Sequence, residues 1–315
     1  MVCGSESQTR ISAAFCDLYC SPLCCVSEAN IVKQCNSKFE DSYVHMSSSL
    51  RSLKLYWRGA NDDSVGVYAR ENMGLKMENG GLSLANYKFA LNTVISLNFL
   101  VPKDPKYIFN RIGLRRRADG SSFVADLYNN GLIAQPLLSI CRTQRLRGFS
   151  RLNFGKLCTD ACEDYHFFDI VSGMEFMLDV AYAKVFDYEI YGRHRMVISE
   201  SEAFYVPQVV LAHLLNTKIL RFYNQQKYMV EINPEYKFLW KLSDTFDISL
   251  NATTMFSRLP SQAFIIIKSL EPNPDDLKWI LSSRLFFQYC VALDYEKTRI
   301  GFARMQPRKD LRSDG

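Results

Sequence analysis

Residues 279–303 read WILSSRLFFQYCVALDYEKTRIGFA, and residues 123–140 read FVADLYNNGLIAQPLLSI. Working outward from these two stretches, most of the chain consists of short apolar runs broken by polar residues or by Gly, Asn and Pro turns, the pattern of many short strands. The clearest runs are 52–57 (SLKLYW), 88–91, 176–180, 195–198, 228–232, 247–250 and 263–267. Helical periodicity is scarce. Residues 123–130 form the best helix, with Phe123, Leu127 and Tyr128 at three-to-four spacing, Ser121 or Ser122 as the N-terminal cap and Gly131 as the stop. A second helix is expected over 207–215, with Pro207 in its first turn and Val210, Leu211, Leu214 and Leu215 on a core-facing side.

Composition agrees with a packed, strand-rich protein. The chain has 315 residues, 48% apolar and 23% charged, which excludes the disordered regime and suits about two domains of roughly 150 residues. Aromatic residues reach 13% and favour pleated surfaces. A net charge of +5, from 38 basic and 33 acidic residues, is too small to demand a polyanion. The clusters 111–117 and 142–151 (RTQRLRGFSR) read as solvated basic faces, since no nucleic-acid recognition motif accompanies them. No nucleic acid is expected as a partner. No window holds about 18 uncharged apolar residues, so no membrane segment is expected.

Ten cysteines are too few for a disulfide scaffold but suit bridges that supplement a core. Cys16, Cys20, Cys24, Cys25, Cys35, Cys158 and Cys162 are the candidates, and Cys20-x3-Cys24-Cys25 and Cys158-x3-Cys162 suggest local loop-closing bonds in an oxidising compartment. Cys158-x3-Cys162-x3-His166 has zinc-ligand residue types, but its spacing is not that of a Cys2His2 site; a disulfide beside a bystander histidine is the reading, and neither metal nor cofactor is expected. His45, His194 and His213 have no nucleophile beside them in sequence and read as core or surface residues. The single sequon, Asn251-Ala252-Thr253, is a glycosylation candidate. These outward-pointing features conflict with the lack of a secretory signal at residues 1–10, and a truncated amino terminus would reconcile them.

The two opening stretches resemble the pepsin-like aspartic peptidases. Residues 279–303 are similar to that family's W-I-L-G-D stretch, which runs through F-x-x-x-Y to a last strand ending near I-G-F-A; residues 123–140 are similar to its F-x-x-L-x-x-Q-G-L-I helix and following strand. Residues 109–114, 151–157 and 247–267 resemble further family strands in the same order. The resemblance implies a mainly β, bilobal pepsin-like acid-protease fold with few short helices, incomplete at its N-terminus. Its lobes would be 1–165 and 166–305, with 306–315 a disordered basic tail. It also implies a cleft for an extended peptide and a secreted or endolysosomal location.

Such a peptidase activates water with two aspartates, each in an Asp-Thr/Ser-Gly loop, of which one is kept protonated because two adjacent like charges do not both ionise cheaply. Neither loop is present. Residues 196–207 (MVISESEAFYVP) place Ser199 at the second aspartate position, with Glu200, Ser201 and Glu202 following, and residues 1–11 put Cys3 at the first. Neither a hydroxyl nor a thiol is anionic at acidic pH. Glu200 and Glu202 are cleft candidates but misplaced for the chemistry, and Asp244-Thr245-Phe246 carries Phe where the loop requires glycine. Tyr56 or Trp57 would serve as the flap aromatic. The expectation is a non-catalytic peptidase homologue whose cleft binds an extended peptide or protein partner. The alternatives are an aspartic endopeptidase with residual activity and a basic polyanion-binding protein.

Overall fold

The structure, a computed structural model, describes residues 48–58, 65–77, 80–94, 113–116, 120–142, 150–171, 175–199, 201–224, 227–231, 233, 235–259, 262–270 and 277–306. The chain forms two compact units, Met1–Ile112 and Gly113–Gly315. In the first, β1 (Arg51–Arg58), β2 (Val65–Met77) and β3 (Gly80–Val94) make an antiparallel meander in that order. Its described core is small: Val67 and Ala69 are buried, with Leu50 and Phe89 packed against them.

The second unit is mainly β, with its strands in two sheets. Its strands are β4 (Leu137–Arg142), β5 (Ser150–Phe154), β6 (His166–Asp169), β7 (Met177–Val185), β8 (Tyr188–Ile198), β9 (Phe204–Val206), β10 (Leu220–Asn224) and β11 (Lys227–Val230). They continue with β12 (Lys237–Lys241), β13 (Asp247–Asn251), β14 (Ser257–Leu259), β15 (Gln262–Ser269), β16 (Leu277–Leu281), β17 (Tyr289–Asp294) and β18 (Arg299–Arg304). One sheet is five-stranded, β5-β4-β17-β18-β6; the other is ten-stranded, running β10-β11-β15-β9-β16-β8-β7-β12-β13 with β14 on β15. The expected lobe boundary at residue 165 precedes β6, and the five-stranded sheet takes strands from both sides of that point.

Residues 279–303 fall in β16, a 3-10 helix (Ser283–Phe287), β17 and β18. Every residue of β17 is buried, as expected for a strand flanked by β4 and β18 and covered on both faces. The core beneath the larger sheet is aromatic: Phe204, Phe238, Trp240 and Trp279 are fully buried. Trp240 meets Trp279 edge-to-face at 5.8 Å, and Phe204 meets Phe238 at 5.1 Å, the offset arrangement that ring quadrupoles favour.

The first expected helix is present as α1 (Phe123–Asn129). Ser122 caps it by accepting the Ala125 N–H at 3.0 Å, and Phe123, Val124 and Leu127 are buried. Gly131 follows with φ +67°. Gly155, which ends β5, has φ +78°, and a Cβ there would lie 2.9 Å from the Ile133 Cβ, so turn and close approach together require glycine. The second helix, α2 (Gln208–Asn216), buries Val210, Leu211 and Leu214. Leu215, expected on the same face, is exposed, because it lies about 100° around the axis from Leu214. A third, one-turn helix, α3 (Ala252–Met255), follows β13. The tail 306–315 lies outside the described residues from 307 onward.

Candidate functional site

Strand β16 is wedged between β8 and β9. It pairs parallel to β8, with Leu281 opposite Ile198, and antiparallel to β9, with Ile280 opposite Tyr205. The chain leaving β8 therefore passes around the end of β16 to reach β9, and it does so through Ser199, Glu200, Ser201 and Glu202. The Ser199 N–H donates to the Leu281 carbonyl at 2.9 Å, and the Ser283 N–H donates to the Ser201 carbonyl at 2.8 Å. Hydroxyls supply the rest. Ser199 Oγ accepts from the Ser201 N–H and Ser201 Oγ from the Ala203 N–H, each at 3.0 Å. Ser282 Oγ donates to the Glu202 carbonyl at 2.8 Å and accepts from the Arg284 N–H at 3.1 Å. Serine suits such a loop because its oxygen bonds backbone groups one to three residues away that strand pairing does not reach.

The loop is thus well built but chemically plain. Glu200 lies outside the described residues, and Glu202 has an exposed side chain. Among the described residues no hydrogen bond joins Ser199, Ser201 or Ser282 to a His, Asp or Glu side chain, the pairing that activates a serine nucleophile. Further back along β8, opposite Leu277 of β16, His194 is fully buried and accepts the Trp279 Nε1–H on its Nδ1 at 3.1 Å. Burial pushes the imidazole pKa down, opposed by a backbone hydrogen bond to Tyr191. His194 is therefore a neutral core histidine, as its sequence context suggests.

The other candidates are dispersed. Tyr56 is exposed on β1 of the first unit, and Trp57 follows it at the position paired with Gly66. Asp244 stands fully outside in the turn between β12 and β13, its carboxyl held below the usual range by Lys241 at 2.9 Å. Asn251 ends β13, and its Oδ1 accepts from both the N–H and the hydroxyl of Thr254 at 3.1 Å, capping α3. Cys3, Cys16, Cys20, Cys24, Cys25 and Cys35 lie outside the described residues. The basic clusters are partly engaged. Arg115 pairs with Glu175 at 3.0 Å, and Arg142 lies 3.8 Å above the Phe287 ring. Arg151 grips both oxygens of Asp160, lowering that carboxyl's pKa chiefly through this hydrogen bonding.

The local Cys158–Cys162 bridge is not what forms. Cys158 pairs with Cys141 and Cys162 with Cys290, at Cα separations of 6.4 and 6.3 Å. Cys141 and Cys290 are the residues that sequence reasoning missed. Each stands inside a strongly apolar strand, LLSICR and YCVALD, where a cysteine reads as ordinary core. His166 is on β6 with its ring 4.6 Å from Phe246, away from zinc-type company. No family model matches this chain, and no curated protein matches it.

Proposed function

We propose that this chain is a pepsin-like aspartic peptidase homologue that binds an extended peptide or protein segment without cleaving it. The resemblance of residues 123–140 and 279–303 supplies the class. The mainly β architecture, in which β4 of the first stretch pairs with β17 of the second, is in keeping with it. The observation that supports the non-catalytic half is the Ser199 loop, whose described hydroxyls bond neighbouring backbone groups at the position where the resemblance puts a catalytic aspartate. Two acidic oxygens facing one water are the minimum for this mechanism, and a serine hydroxyl stays un-ionised in the acidic range, so it cannot supply the carboxylate base. A groove that keeps its main-chain and pocket contacts still recognises an extended peptide.

The test is incubation of the full chain with denatured haemoglobin at acidic pH, beside equilibrium binding of a statine-type inhibitor. Saturable inhibitor binding without peptide release is expected. Cleavage that the inhibitor blocks and that Glu200→Gln abolishes would instead establish a residual endopeptidase, and absence of both binding and cleavage would remove the peptide-binding reading.

A further inference from the structure

Four buried cysteines share one cluster in the second unit. Ile140 of β4 and Val291 of β17 are cross-strand partners; Cys141 follows the one and Cys290 precedes the other, so these two side chains are neighbours on one face of adjacent antiparallel strands. Cys158 and Cys162 enter from the segment between β5 and β6. The sulfurs of Cys141, Cys158 and Cys162 lie within 4.8 Å of one another, and Cys290 is bonded to Cys162. All four residues are buried, and Ala161, Ala303, Tyr165 and Met305 wall them in. Each disulfide joins one strand cysteine to one loop cysteine, and the two bonds abut.

Polar groups converge on these sulfurs. Asn153 Nδ2 donates to Cys158 Sγ at 3.2 Å, Tyr165 Oη donates to Cys162 Sγ at 3.7 Å, and Ser139 Oγ lies 3.3 Å from Cys158 Sγ. A disulfide sulfur gains little from such company. Thiolates gain much, because donors around metal-bound sulfur spread its charge and fix its direction.

We propose that in the reduced chain Cys141, Cys158, Cys162 and Cys290 form a tetrathiolate site for a soft divalent cation of the zinc type, as an alternative to the two disulfides. The Cys158-x3-Cys162 spacing lies within the two-to-four residue interval of structural zinc ligands, and a cross-strand cysteine pair completes the set. Metal–sulfur bonds of about 2.3 Å in a tetrahedron place sulfurs about 3.8 Å apart, within side-chain rotation of the spacing found here. Two equivalents of a dithiol supply four electrons and four protons, opening both S–S bonds and leaving as two disulfides. The cation then displaces four thiol protons and makes four metal–sulfur bonds, giving a site of net charge −2 beside the Asn153 and Tyr165 donors.

The test uses the full-length chain with Cys3→Ser, Cys16→Ser, Cys20→Ser, Cys24→Ser, Cys25→Ser and Cys35→Ser, reduced under anaerobic conditions and titrated with cobalt(II). The expected result is one cobalt per chain, with thiolate charge-transfer and intense tetrahedral visible bands that zinc(II) bleaches, and four thiols that zinc shields from alkylation. Asn153→Ala, which keeps every ligand, should weaken cobalt binding about tenfold. Should reduction unfold the apo chain, refolding on one equivalent of zinc counts as the same result, since such sites couple binding to folding. The site is refuted if the reduced chain neither binds nor refolds, if binding survives the pair Cys158→Ser and Cys162→Ser, or if the fully oxidised chain binds equally well.

Discussion

His194 and Trp279 show what a single buried hydrogen bond commits the protein to. The indole N–H points at Nδ1 of a fully buried imidazole, so protonation would set two hydrogens against each other in a dry site. Burial, which penalises the charged ring, holds His194 below its ordinary pKa of about 6.5, against a backbone hydrogen bond to Tyr191 that works the other way. For a base depressed in this way, the unfolded chain takes up the proton first as pH falls. Stability from keeping the ring neutral is complete above about pH 6.5 and declines below it, by at most about 1.4 kcal/mol per pH unit. Urea unfolding at pH 7.5 and 5.5 should show a loss in the parent chain that His194→Gln, whose amide oxygen still accepts the indole N–H, largely removes. Equal pH dependence in the two chains would refute the assignment.

Among the elements, β13 shows how an edge is finished. It ends the ten-stranded sheet, and its outward backbone groups would be open to any strand that came by. Residues at the start of β17 occupy them. The Tyr289 hydroxyl accepts the Ser249 N–H at 2.9 Å and donates to its carbonyl at 3.3 Å, while Gln288 Oε1 accepts the Asn251 N–H at 3.0 Å. Tyr289→Phe leaves a partly buried N–H without its acceptor and should cost about 1–3 kcal/mol in chemical unfolding; a change below a few tenths would show that water replaces the ring hydroxyl. Elements with a local cause were legible from sequence. Helix α1 carries its own cap and glycine stop, and the apolar runs 247–250 and 263–267 fall in β13 and β15. By contrast, only residues 88–91 of the long β2–β3 ribbon stood out; Val67 and Ala69 of β2 are buried, but Glu71 interrupts the apolar alternation of VGVYARENMGLKM and the register shifts between Glu71 and Met73. The Ser199 loop was located by position, but its closure was not, because Ser282 bonds it from 80 residues away.

For the molecule as a whole, long-range links dominate the second unit, and this is why its cysteine pairing escaped the sequence. Four cysteines permit three connectivities, and the proximity of Cys158 to Cys162 favoured the wrong one. The Cys162–Cys290 bond spans a sequence separation of 128, and closing so long a loop restrains the unfolded chain by about 4–5 kcal/mol in the chain-entropy account. Cys162→Ser combined with Cys290→Ser should lower stability by about that amount under oxidising conditions, measured by calorimetry, whereas an unchanged midpoint would mean that the bond is not formed in solution. The wedged strand has a further consequence, for biosynthesis. Strand β8 ends at Ile198 and β9 at Val206, yet the strand that joins them begins only at Leu277, so a nascent chain emerging from the ribosome carries an open slot in its largest sheet until some seventy more residues have been translated. During that interval any passing extended segment is a competitor for the slot, and the fidelity of this protein's production rests on protecting it.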